Sequence, residues 1–414
     1  LNPTTKTCPM FLSKHDADIT LGLYRRHPVL GSSGQNVPRF TYRRIFDMST
    51  DAGLFRLTKE VCTDNDGGDL PAGYVHLYEG RMFDAFNHRA ASMDITSENV
   101  HRSGVKLDST RDDLAQPEYS VVSRYCVEEK DLLQRLQNYG RRGWFIAVKD
   151  ITSATNARTV IASLIPYAAT GNTSPILVSD EPPTMQAALL AMFNSFVFDF
   201  AARKKVSGNH LTLSVILQLP TLTRDVLLGR TAWSGAFTVA EWLTLRVLEL
   251  TYTSWEMQRF AIDCGYDGPP FCWNEDRRLK LRCEIDAAMF HLFSVERQSA
   301  EYMLDTFRIV RERDEAQYGH FKTKDLILKA YDLLEGCASS SEQTVGQDSQ
   351  SFVVYQLLVN PPPGPPTDAE GNFIPMAQWD HANWPAHIHQ PRKIVIPAVA
   401  AEQVEIGRAV AYLN

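Results

Sequence analysis

TMQAALLAMFNSFVFDFAARKKVSGNHLTLSVILQLP, running from Thr184 to Pro220, decides how this chain is read. Its first half spaces Leu189, Phe193, Phe196, Val197 and Phe200 at helical intervals. That spacing predicts one long amphipathic helix capped by Thr184. The helix exits through Arg203, Lys204 and Lys205 into Ser207 and Gly208, an ordinary stop signal. Leu211, Leu213, Val215, Leu217 and Leu219 then recur at period two. Alternation of that kind predicts a half-buried strand ended by Pro220.

Upstream, the same alternation marks Arg39–Phe46, with Phe40, Tyr42, Arg44 and Phe46 on one face. GYVHLYEG, YSVVSRYCV, GWFIAVKDI, TVIASLIP and PILVS read as further strands, and CTDNDGGDLPAG (Cys62–Gly73) as a loop. Downstream the pattern turns helical. Thr238 and Glu241 have capping-box spacing, and helices are expected near Asp276–Phe293, Ala300–Arg313 and Lys324–Leu334. Gly336–Ser351 reads as a linker, and VNPPPGPP as polyproline II that does not pack. The fold class expected is therefore α+β, with a strand-rich body followed by a small helical bundle. The segments are 1–72, 73–237, 238–337 and 338–414.

Composition narrows the function. The 414 residues are 44% hydrophobic and 22% charged, enough to bury a core. No run approaches the roughly 18 apolar residues of a membrane helix, so no membrane partner is expected. LNPTTKTCPM has no apolar h-region, and seven scattered cysteines never fall in C-x-x-C spacing. A cytoplasmic protein with reduced thiols is expected. The net charge of -7 means that any grip on nucleic acid must come from local basic patches.

Three polar stretches offer such chemistry. ARKKVSGNHL puts Arg203, Lys204 and Lys205 beside a turn that presents Asn209 and His210, supplying cations for phosphate and hydrogen-bonding groups for bases. The alternative is that these cations only complement a helix dipole. YEGRMFDAFNHR places Tyr78 and Arg81 at a Gly-containing corner, with a plain hairpin corner as the rival reading. DITSATNARTVIAS puts Asn156 and Arg158 in a polar loop that is otherwise a simple connection.

Other motifs are set aside. In Asn360-Pro361-Pro362 the next residue is Pro363, which cannot stack on a flipped base as an aromatic would. DCGYDG (Asp263–Gly268) follows a helix, so the strand needed before a cofactor loop is missing. Glu128-x-Lys130 downstream of Asp112 and Asp113 resembles the metal-holding set of a nuclease and is kept as an alternative. His381, His387 and His389 read as a surface cluster. No P-loop, H-E-x-x-H or G-x-S-x-G occurs, so no catalytic residue, cofactor ligand or metal ligand is assigned.

Taken in order, NPTTKTCPMF with DADITLGLYRRHPVL, LYEGRMFDAFNHR, KDITSATNARTVIASLIP, GNTSP, FDFAARKKVSGNHLTLSVILQLP, GYDGPPFCWNEDRRLKLRCEIDAAMFHLF and YGHFKTKDLILKAYDLL resemble one family. It comprises the long bacterial adenine-N6 DNA methylases of type II restriction–modification and related phage-defence systems. The resemblance covers most of residues 2–335. It implies that this region follows a methylase core and grips double-stranded DNA. The core, with its S-adenosylmethionine site and Asn-Pro-Pro-aromatic motif, would lie upstream of Leu1, in cis or in trans, and residues 1–72 would connect to it. Residues 73–237 would be the target-recognition domain. The resemblance implies that Tyr78, Arg81, Asn156, Arg158, Arg203, Lys204, Lys205, Asn209 and His210 face DNA, and that the chain alone is inactive. A stand-alone nuclease and a non-enzymatic interaction subunit of a defence complex are the rival functions.

Overall fold

The computed structural model describes residues 11, 13–34, 36–62, 70–94, 104–136, 143–341 and 358–391. The fold is α+β, with strands in the first half and helices dominating the second. The strands are β1 (Thr41–Arg43), β2 (Arg56–Leu57), β3 (Tyr74–Tyr78), β4 (Ala91–Asp94), β5 (Val105–Asp108), β6 (Tyr125–Glu128), β7 (Trp144–Val148), β8 (Ala162–Pro166), β9 (Ala169–Thr170) and β10 (Ile176–Val178). They form an antiparallel sheet in the order β1-β10-β7-β8, a second sheet in the order β2-β6-β3-β9, and a β4-β5 hairpin. In the second sheet β3 and β9 run parallel and the other pairs antiparallel.

The first sheet is the middle layer of the molecule. Strand side chains alternate between faces. Trp144, Ile146, Val148, Ala162, Leu164 and Leu177 join the larger apolar core beneath the helices. Phe145, Ala147, Ile165, Ile176 and Val178 join a smaller core shared with the second sheet. Sheets buried on both faces read as near-continuous apolar runs, and WFIAV is one.

The larger core crosses the borders expected at 72/73 and 237/238. Ile19 and Leu23 of the Lys14–Arg26 helix belong to it. So do the Pro183–Phe193 and Val239–Thr251 helices, which pack closely on each other. β1 pairs with β10 and β2 with β6, so residues 41–57 are part of the sheets. The capping box forms as expected: Thr238 Oγ1 accepts from the Glu241 N–H, and the Glu241 carboxylate accepts from the Thr238 N–H at 2.7 Å. Helices follow at Glu275–Leu292, Arg297–Asp305, Arg308–Tyr318 and Lys322–Ser341.

Three expectations about the Thr184–Pro220 stretch are corrected. The single long helix is two, Pro183–Phe193 and Phe196–Arg203, bent by 56°. Asn194 breaks it by turning its side-chain amide onto the Ala162 backbone, and Ser195 recaps the chain by accepting from the Phe198 N–H. Pro182, not Thr184, occupies the first cap, with Pro183 in the first helical turn. The stretch after His210 is not a strand: Thr212 caps a short helix, Leu213–Ile216, in which Ile216 is buried, with Leu211 and Leu219 buried on either side of it. A capping threonine here overrides a period-two pattern.

The Pro-rich tail is packed, not free. Pro361 and Pro362 carbonyls accept from the Arg277 guanidinium, and the Gly364 N–H donates to Glu249 at 3.1 Å. His387 is buried and its Nε2–H donates to the Gly364 carbonyl at 2.8 Å, so it is no surface residue. Of the expected linker, residues 342–351 lie outside the described residues, and the last helix covers its beginning. No single helix among the described residues is long and apolar enough to cross a membrane.

Candidate nucleic-acid interface

Backbone hydrogen bonds tie the three polar stretches into one rim. After β3 the chain turns through Glu79 and Gly80. The Gly80 N–H donates to Thr173 Oγ1 at 3.4 Å, and a Cβ on Gly80 would stand 2.8 Å from the Thr173 carbonyl. Only glycine fits that approach. Thr173 in turn accepts from the Asp150 N–H at 3.1 Å. Asp150 accepts from the Leu211 N–H at 2.7 Å, the Thr152 N–H donates to Asn209 at 3.0 Å, and Ile151 bridges His210. The corner after β3, the loop after β7, the turn before β10 and the turn after the Phe196–Arg203 helix thus form a continuous edge.

Side chains on this edge divide into two groups. Asn156, Asn209 and His210 are exposed. The Arg81 side chain is 42% exposed, and its guanidinium donates to Glu79 and to the Gly104 carbonyl. These residues can reach a ligand. The neighbouring charges are mixed, since Lys149 lies 4.0 Å from Asp84 and Lys106 pairs with Asp108. Burial outweighs Asp84 and lowers the Lys149 pKa.

The other expected contacts turn inward. Asp199 is fully buried and takes Arg158 Nε at 2.7 Å and Arg203 Nε at 3.2 Å. Arg203 also donates to the Asn156 and Ala157 carbonyls, and its guanidinium lies 3.9 Å over the Phe307 ring. Arg158 donates to the Asn194 carbonyl and covers Phe196. Lys204 is 8% exposed and pairs with Asp16 at 2.8 Å. Lys205 is half-buried, 5.6 Å from the Tyr24 ring centre. Tyr78 is sealed at 1% exposure, and burial drives its hydroxyl well above the ordinary tyrosine range. Arg158, Arg203 and Lys204 therefore hold the rim to the helical layer, in place of the DNA contact expected of them. Tyr78 packs in the core in place of facing DNA. The Asp199–Arg203 pair is an i,i+4 spacing visible in the sequence, whereas Asp16 meets Lys204 and Asp199 meets Arg158 only in the folded chain.

Two residues that sequence reasoning passed over sit in the middle of the rim. Asp150 Oδ2 accepts from His210 Nδ1 at 2.9 Å and from Arg44 Nη2 at 3.5 Å. Tyr42 lies beside them, its pKa raised by burial first and by Asp150 second. A clue was available: Asp150 stands two residues past the apolar run of β7, after Lys149, at the strand end where binding loops begin.

The nuclease-like set is dispersed. Glu128 and Lys130 pair with each other at the surface, and Asp113 is used in a capping box with Thr110. Among the described residues, no three His, Cys, Asp or Glu side chains are gathered to hold a metal ion. No protein-family model matches the chain, and no curated protein matches it significantly.

Proposed function

We propose that this chain is the DNA-binding and target-recognition portion of a site-specific adenine-N6 DNA methyltransferase of restriction–modification or phage-defence type. It acts in the cytoplasm on double-stranded DNA. A separate methylase core, in cis or in trans, binds S-adenosylmethionine and transfers the methyl group. One observation supports the reading above the others: three polar stretches far apart in sequence meet on one rim, through Gly80, Thr173, Asp150 and Asn209. Side chains on strand-connecting loops are suited to a groove, where amides and guanidinium groups read base edges. Arg81, Asn156, Asn209 and His210 are the accessible readers. Arg158 and Arg203 set the position of the loop that carries Asn156.

The test is duplex retention followed by selection. The purified chain is expected to retain duplex DNA at low salt, with affinity falling steeply as salt rises. Selection from a random duplex pool is expected to enrich one adenine-containing sequence. Asn156→Ala with Asn209→Ala should cost about 1–3 kcal/mol of discrimination per lost base contact while sparing non-specific retention. No retention at low salt would remove the reading and leave the interaction-subunit function in its place.

A further inference from the structure

We propose that Arg44 and His210, held on Asp150, form a binding site for one phosphodiester oxyanion. The inference rests on the DNA-binding reading and names the group through which the rim meets the backbone. The Asp150 carboxylate is fixed before any ligand arrives. Its N–H is tied to Thr173, its carbonyl to Leu211, and its side chain is 5% exposed. The His210 backbone is fixed by the bridge to Ile151.

A carboxylate can only accept, so the His210 ring nitrogen that meets it, Nδ1, must carry a proton. That contact sets the ring orientation and leaves Nε2 as the outward edge. The His210 side chain is 58% exposed and that of Arg44 51% exposed. An approaching ligand meets the Arg44 guanidinium and the His210 Nε2 edge, while the carboxylate lies behind them. In the doubly protonated form of the His210 ring both nitrogens donate, one inward to Asp150 and one outward. Arg44 spends one N–H at 3.5 Å on Asp150 and sits against the Tyr42 hydroxyl, and its half-exposed guanidinium fork has further N–H groups for a second oxygen. Two outward donors over one buried anion match the non-bridging oxygens of a phosphodiester. The Asn209 and Asn156 side chains stand on the same rim, so a phosphate held here would set the register for base contacts.

The experiment uses the full chain. Histidine-labelled protein is titrated with inorganic phosphate while the His210 ring nitrogens are followed by NMR, the signal being assigned with His210→Gln. Binding of a duplex is measured in parallel against salt. Phosphate is expected to move the His210 signals in the wild type and not in Arg44→Gln. Arg44→Gln with His210→Gln is expected to flatten the log–log salt slope by roughly one, with the melting temperature followed beside it because Asp150 loses both side-chain partners. Asp150→Asn is a test of positioning, and should shift the His210 nitrogen signals before any ligand is added. Duplex binding with an unchanged salt slope in the double variant overturns the site and leaves the DNA reading standing. Phosphate binding at His210 without duplex retention supports the site and ends the DNA reading. Indifference of the His210 signals to phosphate overturns the site.

Discussion

Asp286 is a fully enclosed carboxyl whose Oδ1 accepts from the Phe196 N–H at 2.7 Å. Burial lifts its pKa from 3.8 to about 7, against the opposing pull of Arg158. Between those values the unfolded chain has released this proton and the folded chain keeps it. The contribution is therefore present at low pH and lost as pH rises through about 7, at up to ~1.4 kcal/mol per pH unit. Asp286→Asn keeps an acceptor for Phe196 and removes the titration. Urea unfolding should show the variant gaining on the wild type as pH rises from 4.5 to 7.5, and a constant difference would disprove the shift. Asp199 holds two guanidinium groups and the Thr159 N–H while fully buried. Asp199→Ala strands Arg158 and Arg203 and should cost about 3–5 kcal/mol. Charge reversal at Arg203 would act through the same pair, so any loss of DNA binding in that variant must be read beside its melting temperature.

At the scale of elements, the break at Asn194 does what a continuous helix could not. The Ala162 N–H donates to Asn194 Oδ1 at 3.0 Å, and Asn194 Nδ2 donates to the Ala162 carbonyl at 2.9 Å. A side-chain amide thus completes the first residue of β8. Asn194→Ala leaves the buried Ala162 N–H without its partner, worth about 1–3 kcal/mol, and leaves the Ala162 carbonyl with only the Phe86 N–H at 3.3 Å. Chemical denaturation should register that loss, and Asn194→Asp should recover only the half that accepts. The sequence displayed Asn194, yet the apolar spacing on both sides carried the expectation of an unbroken helix. Local signals sufficed where local physics decides. The Thr238–Glu241 box and the WFIAV run were legible because a cap is a contact over three residues and a doubly covered strand is apolar throughout. They failed after His210, where period two puts Leu213, Val215 and Leu217 on the buried face but the short capped helix buries Ile216 and leaves those three half-buried. The rim was legible only as separate stretches. Asp150 and Arg44 are 106 residues apart, and nothing in either segment reveals the other.

The molecule as a whole is closed by its tail. Glu249 is 3% exposed and binds the Arg277 guanidinium, the Gly364 N–H and, at 4.0 Å, His387. Glu284, fully buried, pairs with Arg246 at 2.8 Å and accepts from the Leu358 N–H at 2.7 Å. Two helices of the larger core therefore each lend a buried carboxylate to residues 358–391. Trp379 completes the contact by stacking on Tyr266, with ring centres 6.3 Å apart. Proline rigidity lowers the entropy lost on docking, which explains why a segment with polyproline composition packs here. Glu249→Ala removes the common partner and leaves Arg277 with only the proline carbonyls. It should cost about 3–5 kcal/mol if the tail stays docked. Release of the tail would limit that cost by returning Arg277 to water. The two outcomes are separable, because chymotrypsin cuts after Phe373 and Trp379 only when the segment leaves the core. Fast cleavage at those residues, with the near-ultraviolet dichroism of the remaining chain preserved, is the expected result. A variant that resists cleavage and unfolds as one unit would show instead that the apolar contacts of Trp379 and Ile388 hold the tail without the buried carboxylate.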